Sequence, residues 1–346
     1  MNDFVKICMV GAGRVGKQHS GSLTSSVKGC QVVAIVDPLV DVLTATADEY
    51  GIPERYPSLE EAIERSQFDA VVIATPTPTH RPLAVTAARA GKHIFLEKPM
   101  ALTLADCDLI LKAVQENGVL FQIGYMRRFD PDFMAAYQRI QAGEIGQPMM
   151  IKTLTHGPGL PPLWARDPAT GGGVLAEVNS HDWDTLRYLM GANLERVYTE
   201  VANFKGKALN VDYPYFYDNV MVNLRFENGA LGSLDGICPC EYEYDARVEI
   251  IGEKGLLQIG ELKGQTIVVA TNRQQGMLTP VFRTWAERFR WGYINEMRHF
   301  VECVSKGETP RVGGEDGRWA VAGYLAGTKS YREGRPVYLK EILQIG

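Results

Sequence analysis

Two short segments near the start of the chain carry residue types suited to binding a dinucleotide. The apolar run Val5–Val10 leads directly into Gly11-Ala12-Gly13-Arg14-Val15-Gly16, and a second apolar run at 31–36 ends at Asp37. In a strand–turn–helix unit, the first glycine permits a tight turn and the second lets the backbone approach a pyrophosphate. The third lets the helix pack closely on the strand. The predicted cofactor-binding residues here are Gly11, Gly13, Arg14, Val15 and Asp37. A glycine turn without a ligand is the alternative.

The acid that ends the second run bears on the choice of cofactor. A carboxylate at this position accepts hydrogen bonds from the ribose hydroxyls of NAD and repels the 2′-phosphate of NADP. The residues that follow Asp37, Pro38-Leu39-Val40, supply no arginine to receive that phosphate. The sequence therefore predicts NAD, with NADP as the less favoured cofactor.

Two further segments lie where apolar strands are predicted to end. Thr75-Pro76-Thr77-Pro78-Thr79-His80 follows the run 68–74, and Glu97-Lys98-Pro99 follows the run 93–96. Ligands bind at the carboxyl ends of strands in open α/β sheets. We therefore predict additional cofactor contacts from Thr75, Pro76, Thr77, His80, Glu97 and Lys98. His80 can instead be an ordinary residue at a helix start, and Lys98 can be a solvated surface lysine.

A second group of polar residues lies in the middle of the chain. At 100° per residue, one helix after Gly173 places Glu177, His181 and Asp184 on one face. Glu177 and His181 are then one turn apart, so the carboxylate can orient the imidazole. A proline-rich loop at 156–170 carries His156 and Trp164 and can cover a pocket. A solvent-exposed loop histidine is the alternative for His156.

Composition limits the class of protein. The chain has 346 residues, enough for two domains, with a net charge of -5 and 45% hydrophobic residues. The acidic balance disfavours a nucleic-acid partner, and no run is long enough to span a membrane. The six cysteines are scattered, and the one close pair, Cys238 and Cys240, lacks the spacing of a metal site. We predict a cytoplasmic protein with no metal.

The order of elements predicts an α/β fold. Strands and helices alternate up to residue 125, which predicts a doubly wound parallel sheet of the Rossmann type at 1–125. Several strands then follow without helices between them. This predicts an α+β domain at 126–346 with a large, mostly antiparallel open sheet, and with C-terminal helices that pack back on the first domain. Because few helices remain to cover that sheet, we predict self-association, as a homotetramer.

The motifs occur in an order that resembles one family, the glucose–fructose oxidoreductase, inositol dehydrogenase and MocA family. They are the glycine turn, Asp37, T-P-T-P-T-H, E-K-P, M-R-R-F at 126–129 and G-G-G-V-L-A-E-V-N-S-H-D at 171–182. The resemblance covers nearly the whole chain. The segments 126–128, 240–245 and 285–290 are most similar to myo- and scyllo-inositol dehydrogenases.

The resemblance implies an NAD-dependent oxidation of a secondary alcohol on a cyclitol or sugar ring. It implies that Lys98 polarises the oxygen and that His181 is the base. Glu177 stands where the family usually has aspartate, and the additional methylene of glutamate displaces the carboxylate. The predicted substrate residues are Lys98, Met126, Arg127, His156, Trp164, Glu177, His181 and Asp184. Two alternatives are an NAD-dependent glycosidase that acts by transient oxidation and elimination, and a non-catalytic NAD-binding sensor.

Overall fold

The chain folds into two compact units. A computed structural model describes residues 4–161, 163–208, 213–260, 267–270, 275–278 and 282–344. Among the described residues, the first unit comprises 4–130 together with Trp291–Ala322, and the second comprises those within Pro131–Arg290 and 323–344. The polypeptide therefore passes from one unit to the other more than once.

The first unit is built on a parallel sheet. Its strands are β1 Val5–Val10, β2 Cys30–Val36, β3 Glu54–Tyr56, β4 Ala70–Ile73, β5 His93–Glu97 and β6 Phe121–Gly124. Their spatial order is β3-β2-β1-β4-β5-β6, and every neighbouring pair is parallel. This is the doubly wound order, in which β1 and β4 lie side by side where the strand order reverses. The Rossmann prediction is confirmed.

Helices connect these strands. They are α1 Arg14–Ser25, α2 Val40–Tyr50, α3 Leu59–Arg65, α4 His80–Arg89 and α5 Leu104–Asn117, with short 3₁₀ helices at Thr77–Thr79 and Met126–Phe129. α3 and α5 begin after Ser58 and Thr103, whose hydroxyls accept hydrogen bonds from backbone N–H groups of the first turn.

The second unit is built on a mixed sheet. Its strands are β7 Pro148–His156, β8 Leu194–Ala202, β9 Asn219–Phe226, β10 Leu231–Ile237, β11 Asp245–Gly252, β12 Leu256–Ile259 and β15 Val337–Tyr338. Two further strands, β13 Ile267–Ala270 and β14 Gln275–Leu278, form a separate two-stranded ribbon. The order of the mixed sheet is β12-β11-β7-β10-β9-β8-β15. Only the β7–β10 pair of this sheet is parallel among the described strands. The prediction of a large, mostly antiparallel sheet is confirmed.

The remaining helices follow in chain order. They are α6 Pro131–Gln141, α7 Leu163–Arg166, α8 Pro168–Gly171, α9 Gly173–Glu177, α10 Ser180–Met190, α11 Trp285–Arg288, α12 Arg290–Lys306, α13 Gly314–Glu333 and α14 Leu339–Leu343. Among the described residues, no helix is both long and apolar enough to cross a membrane.

The prediction of one continuous helix after Gly173 is wrong. α9 ends at Glu177, and α10 begins at Ser180 after an interruption at Val178 and Asn179. The amide N–H groups of Val178 and Asn179 both donate to the carbonyl of Val174, so the turn contains an extra residue. The 100° spacing therefore does not continue from Glu177 to His181, and their alignment does not follow from it.

The core of the first unit includes residues from a distant part of the sequence. Ile294, Met297, Phe300 and Val301 of α12 belong to the same buried cluster as the apolar residues of β1, β2 and α1. Next to this cluster, the Gln122 side-chain amide of β6 donates to the carbonyl of Glu296 in α12, at 3.1 Å. α12 is thus part of the cofactor-type unit, although it follows the whole second sheet in sequence.

The glycine turn after β1 gives the first prediction. A Cβ at Gly16 would lie 1.9 Å from the carbonyl oxygen of Gly11, whereas a Cβ at Gly13 would meet nothing within 4 Å. Gly16→Ala should therefore lower the free energy of unfolding by about 1–3 kcal/mol, because the backbone must move. Gly13→Ala should leave it within about 0.5 kcal/mol. Denaturant titration of both variants measures this, and equal midpoints would contradict the assigned packing.

Candidate functional site

The turn between β1 and α1 has the shape of an anion-binding turn. Gly11 has a φ of +103°, and a Cβ there would lie 2.4 Å from the carbonyl oxygen of Ala74. α1 starts at Arg14, and its N-cap residue is Gly13, which has no side chain to bond to the helix end. The first backbone N–H groups of a helix point outward and favour negative charge. The open space above Gly13 leaves room for a phosphate to reach them.

Asp37 lies beside this turn, held by two backbone groups. Its Oδ2 accepts the N–H of Ala12 at 2.9 Å, and its Oδ1 accepts the N–H of Leu39 at 2.9 Å. The carboxylate is half-buried and fixed in orientation. A fixed acid next to a glycine turn fits the adenosine ribose and pyrophosphate of NAD, so the residues present are compatible with this cofactor.

The loop after β4 is tied to the loop after β5 by a buried histidine. His80 is 1% exposed. Its Nδ1 lies 2.9 Å from the carbonyl oxygen of Pro99, and its Nε2 lies 2.9 Å from that of Thr75. Burial lowers the pKa of His80 below its ordinary value. Both ring nitrogens thus face protein carbonyls. This arrangement favours a structural role, in which His80 holds the two loops together, and the direct cofactor contact stays a prediction.

The other predicted residues of the β4 loop lie near the same edge. Thr77 is buried, while Thr75 is half-buried and Pro76 is exposed. The hydroxyl of Thr79 lies 2.7 Å from Thr75 Oγ1 and 2.7 Å from the carbonyl oxygen of Pro76, which fixes the loop. Their contact with a cofactor stays a prediction.

Lys98 directly follows a buried carboxylate. Glu97 ends β5, and its Oε2 accepts the backbone N–H of Lys98 at 3.0 Å. Its Oε1 lies 2.7 Å from Nε2 of His19, which is completely buried in α1. The Lys98 side chain is half-buried, whereas Glu97 is 6% exposed. Glu97 therefore faces the interior. Sequence reasoning missed His19, since it lies in an ordinary amphipathic helix pattern.

Met126 and Arg127 lie in the 3₁₀ helix after β6. Each is 1% exposed. The neighbouring Arg128 forms an ion pair with Asp316 at 2.9 Å, which links this segment to α13 within the first unit. The predicted substrate contacts of Met126 and Arg127 are not tested by these observations and stay predictions.

His181 lies in the first turn of α10, between two anchoring residues. Asp182 is fully buried, and its carboxylate accepts the hydroxyls of Thr153 at 2.6 Å and Thr155 at 2.7 Å. It also accepts the side-chain amide of Asn179 at 2.9 Å. His181 itself is 6% exposed.

Asn179 extends the same anchor to a second strand. Its side-chain nitrogen lies 3.2 Å from the carbonyl oxygen of Asp235 in β10, and a Cβ at Gly236 would lie 2.2 Å from its side-chain oxygen. The start of α10 is therefore fixed to both β7 and β10. Sequence reasoning missed Asn179 and Asp182. The alternating Thr153 and Thr155, which point to one face of a strand, were the available signal.

Three other predicted site residues of the second unit, Glu177, Asp184 and Trp164, lie on different helices. Asp184 is 2% exposed and lies on α10 with His181, whereas Glu177 ends α9 on the other side of the interruption. Trp164 is half-buried in α7. The catalytic role predicted for Glu177, which is to orient the His181 imidazole, and the substrate contacts of Asp184 and Trp164 stay predictions.

The structure does not bring His156 together with His181. Thr153 and Thr155 of β7 face α10, so alternation along the strand directs His156 to the opposite face of the sheet. There its Nε2 lies 2.5 Å from Asp235 Oδ1, and its Nδ1 contacts the hydroxyl of Tyr242. His156 is thus held by its own polar cluster, on the side away from α10.

The comparisons with known proteins agree with this architecture. The family described as an oxidoreductase family with an NAD-binding Rossmann fold matches residues 5–125, and its C-terminal alpha/beta domain matches residues 138–339. A scyllo-inositol 2-dehydrogenase (NAD(+)) of Bacillus subtilis is 36% identical, over 98% of this chain and 97% of its own. A myo-inositol 2-dehydrogenase of Thermotoga maritima is 34% identical, over 98% and 100%.

A solved structure gives the same result. The crystal structure of a probable dehydrogenase from Thermotoga maritima superimposes with a TM-score of 0.90 at 32% identity, over 98% of this chain and 100% of the other. The predicted family is confirmed, and with it an oxidoreductase that uses NAD. The chain belongs to the glucose–fructose oxidoreductase, inositol dehydrogenase and MocA family of NAD-binding oxidoreductases.

Proposed function

We propose that this protein is an NAD-dependent dehydrogenase that oxidises a secondary alcohol of an inositol-like cyclitol to a ketone. The observation that carries the proposal is similarity to two inositol 2-dehydrogenases over nearly the full length of the chain, across both units. We also propose that residues 1–125 bind the cofactor and that residues 126–346 bind the substrate. The cofactor residues are supported by the glycine turn and by the fixed Asp37 carboxylate.

The roles of the reacting side chains follow from their chemistry and from their local supports. His181 would accept the hydroxyl proton on an imidazole nitrogen, as a general base. The hydrogen bonds of Asp182 and Asn179 hold the backbone on either side of it. Lys98 would donate a hydrogen bond to an alcohol oxygen and stabilise its developing negative charge. NAD, when bound, supplies the acceptor for the hydride. The family resemblance supports both assignments.

Self-association is proposed through the outer face of the second sheet. Alternation along β9 buries Val220, Val222 and Leu224 but leaves Met221 64% exposed. On the neighbouring strand, Leu231 is 46% exposed. Apolar side chains spread over one broad face are suited to a subunit interface, which supports self-association, and we propose a homotetramer. A cytoplasmic location is proposed as well, consistent with six free cysteines.

Cofactor selection is tested by Asp37→Ser. Loss of the charged acceptor should weaken NAD by about 1–3 kcal/mol and relieve the repulsion of NADP. The measurement is kcat/KM for each cofactor with a fixed polyol. Asp69→Ser is the matched control, because Asp69 also accepts a backbone N–H, that of Lys6 at 2.8 Å, but precedes its strand. An unchanged cofactor ratio in Asp37→Ser would show that the ribose contact is misassigned.

The proton transfer is tested by His181→Ala. Removal of a general base costs about 10²–10⁴-fold in kcat, or about 3–5 kcal/mol. The dissociation constant of NADH should stay unchanged. His299→Ala is the control, since His299 accepts the backbone N–H of Arg311 in the other unit. If His181→Ala keeps the wild-type kcat with myo- and scyllo-inositol as substrates, a group other than His181 accepts the proton.

The assembly is tested by the paired substitution of Met221 and Leu231 by lysine. Four or more like charges brought together across a symmetric interface repel, so the mass measured by light scattering at micromolar concentration should fall below that of the wild type. Leu109→Lys, a residue of α5 that is 48% exposed, is the control for surface charge alone. A monomeric wild type, or a double variant of unchanged mass, would rule out this face as the interface.

A further inference from the structure

Three titratable side chains of the first unit meet in its interior, beneath the turn that carries Lys98. They are His19 of α1, Glu97 of β5 and Glu296 of α12, with exposed fractions of 0%, 6% and 0%. One nitrogen or oxygen atom from each lies within 4.8 Å of those of the other two. Because an unbalanced charge is costly in an interior without water, the protonation states of the two acids and the imidazole must keep the net charge of the cluster small.

The Glu97 carboxylate is held at both oxygens. Oε1 lies 2.7 Å from His19 Nε2, and Oε2 accepts the backbone N–H of Lys98. A Cβ at Gly124 would lie 3.1 Å from Oε1, so the glycine at the end of β6 leaves space for this carboxylate. Glu97 thus acts as a link between a helix of the core and the backbone of Lys98.

Glu296 has a different environment. Neither of its side-chain oxygens has a hydrogen-bond partner among the described residues, and both are fully buried. The groups that face it are His19 from α1 and Glu97 from β5, while Tyr293 on its own helix contacts the His19 ring. One imidazole can balance one carboxylate, and Glu97 already has it. Burial and the nearby charge of Glu97 hold the pKa of Glu296 well above its usual range.

We propose that His19 is a positioning residue that holds Glu97 and, through it, Lys98, and that Glu296 beside them stays protonated, which leaves His19 bonded to Glu97. The neutral acid occupies its place in the core without competing for His19, which stays bonded to Glu97. Ionisation of Glu296 would place two negative charges next to one imidazole, and the hold on the Lys98 amide would weaken. This inference rests on the proposed role of Lys98.

The first test compares one substitution of Glu296 with one of His19. Glu296→Gln mimics the protonated acid and should keep kcat within about twofold of the wild type, because the neutral amide preserves the shape and charge. His19→Leu removes the group that lies against Glu97 Oε1, and should lower kcat at least about tenfold with an unchanged KM for NAD, because the support of the Lys98 amide is lost. Steady-state kinetics on myo-inositol and NAD measures both.

The second test needs no substrate. A proton that the folded state keeps and the unfolded state releases stabilises the fold fully below the unfolded pKa, near 4.5, and this contribution is lost as the pH rises. The melting temperature of Glu296→Gln minus that of the wild type should therefore increase between about pH 5 and pH 8. The same scan with Glu302→Gln, an exposed acid of the same helix, should give a constant difference.

The outcomes separate the alternatives. Wild-type kcat in His19→Leu would overturn the positioning role. A Glu296→Gln enzyme as slow as His19→Leu, or a melting difference that does not increase with pH, would show that Glu296 is ionised. A stoichiometric metal ion in the wild type that is lost in Glu296→Gln, measured by elemental analysis, would make the cluster a cation site. If Lys98→Met keeps wild-type kcat, the proposed function fails, while the melting comparison still decides the state of Glu296.

Discussion

The structure depends on carboxylates that cannot enter a protein interior without hydrogen-bond donors. Each segment assigned to the reaction is fixed by one of them. Asp37 accepts two backbone N–H groups next to the glycine turn, and Glu97 joins His19 to the amide of Lys98. Asp182 accepts two threonine hydroxyls and an amide beside His181. Burial of a carboxylate costs free energy unless its oxygens accept hydrogen bonds, so each of these acids has one favourable position. The backbone of the neighbouring functional residue is therefore fixed in position as well.

The same principle explains the break between α9 and α10. A continuous helix through Val178 would carry Asn179 and Asp182 around the axis in regular steps. The interruption instead directs Asn179 to the backbone of β10 and Asp182 to the hydroxyls of β7. These polar contacts of Asn179 and Asp182 compensate for the helical hydrogen bonding that is lost at the irregular turn. The position of His181 is therefore determined by tertiary hydrogen bonds as well as by the helix itself.

The fold was predictable from the sequence, because strand and helix periods are local signals. Apolar runs that end just before Gly11, Thr75 and Glu97 identified three strands of the parallel sheet and the edge where their loops meet. The break at Val178 was not predictable, because its cause lies in strands far along the chain. His156 is predicted as a substrate residue because a proline-rich loop at 156–170 can cover a pocket, whereas alternation along β7 directs it away from α10 and His181. The contact between His19 and Glu97 involves residues 78 positions apart, and neither has a local pattern that marks it as a partner.

The discontinuous first unit has a consequence for synthesis of the protein. Its buried cluster is completed by Ile294, Met297, Phe300 and Val301, which leave the ribosome long after β1 to β6. At about 5–20 residues per second, the sheet waits on the order of ten seconds or more for α12. During that interval the apolar face that α12 covers lacks its final neighbours. The second unit, by contrast, receives all the strands of its sheet except β15 before α12 is made. The nascent chain therefore has its nucleotide-binding half exposed for longest, and this half is where chaperone binding during translation would concentrate.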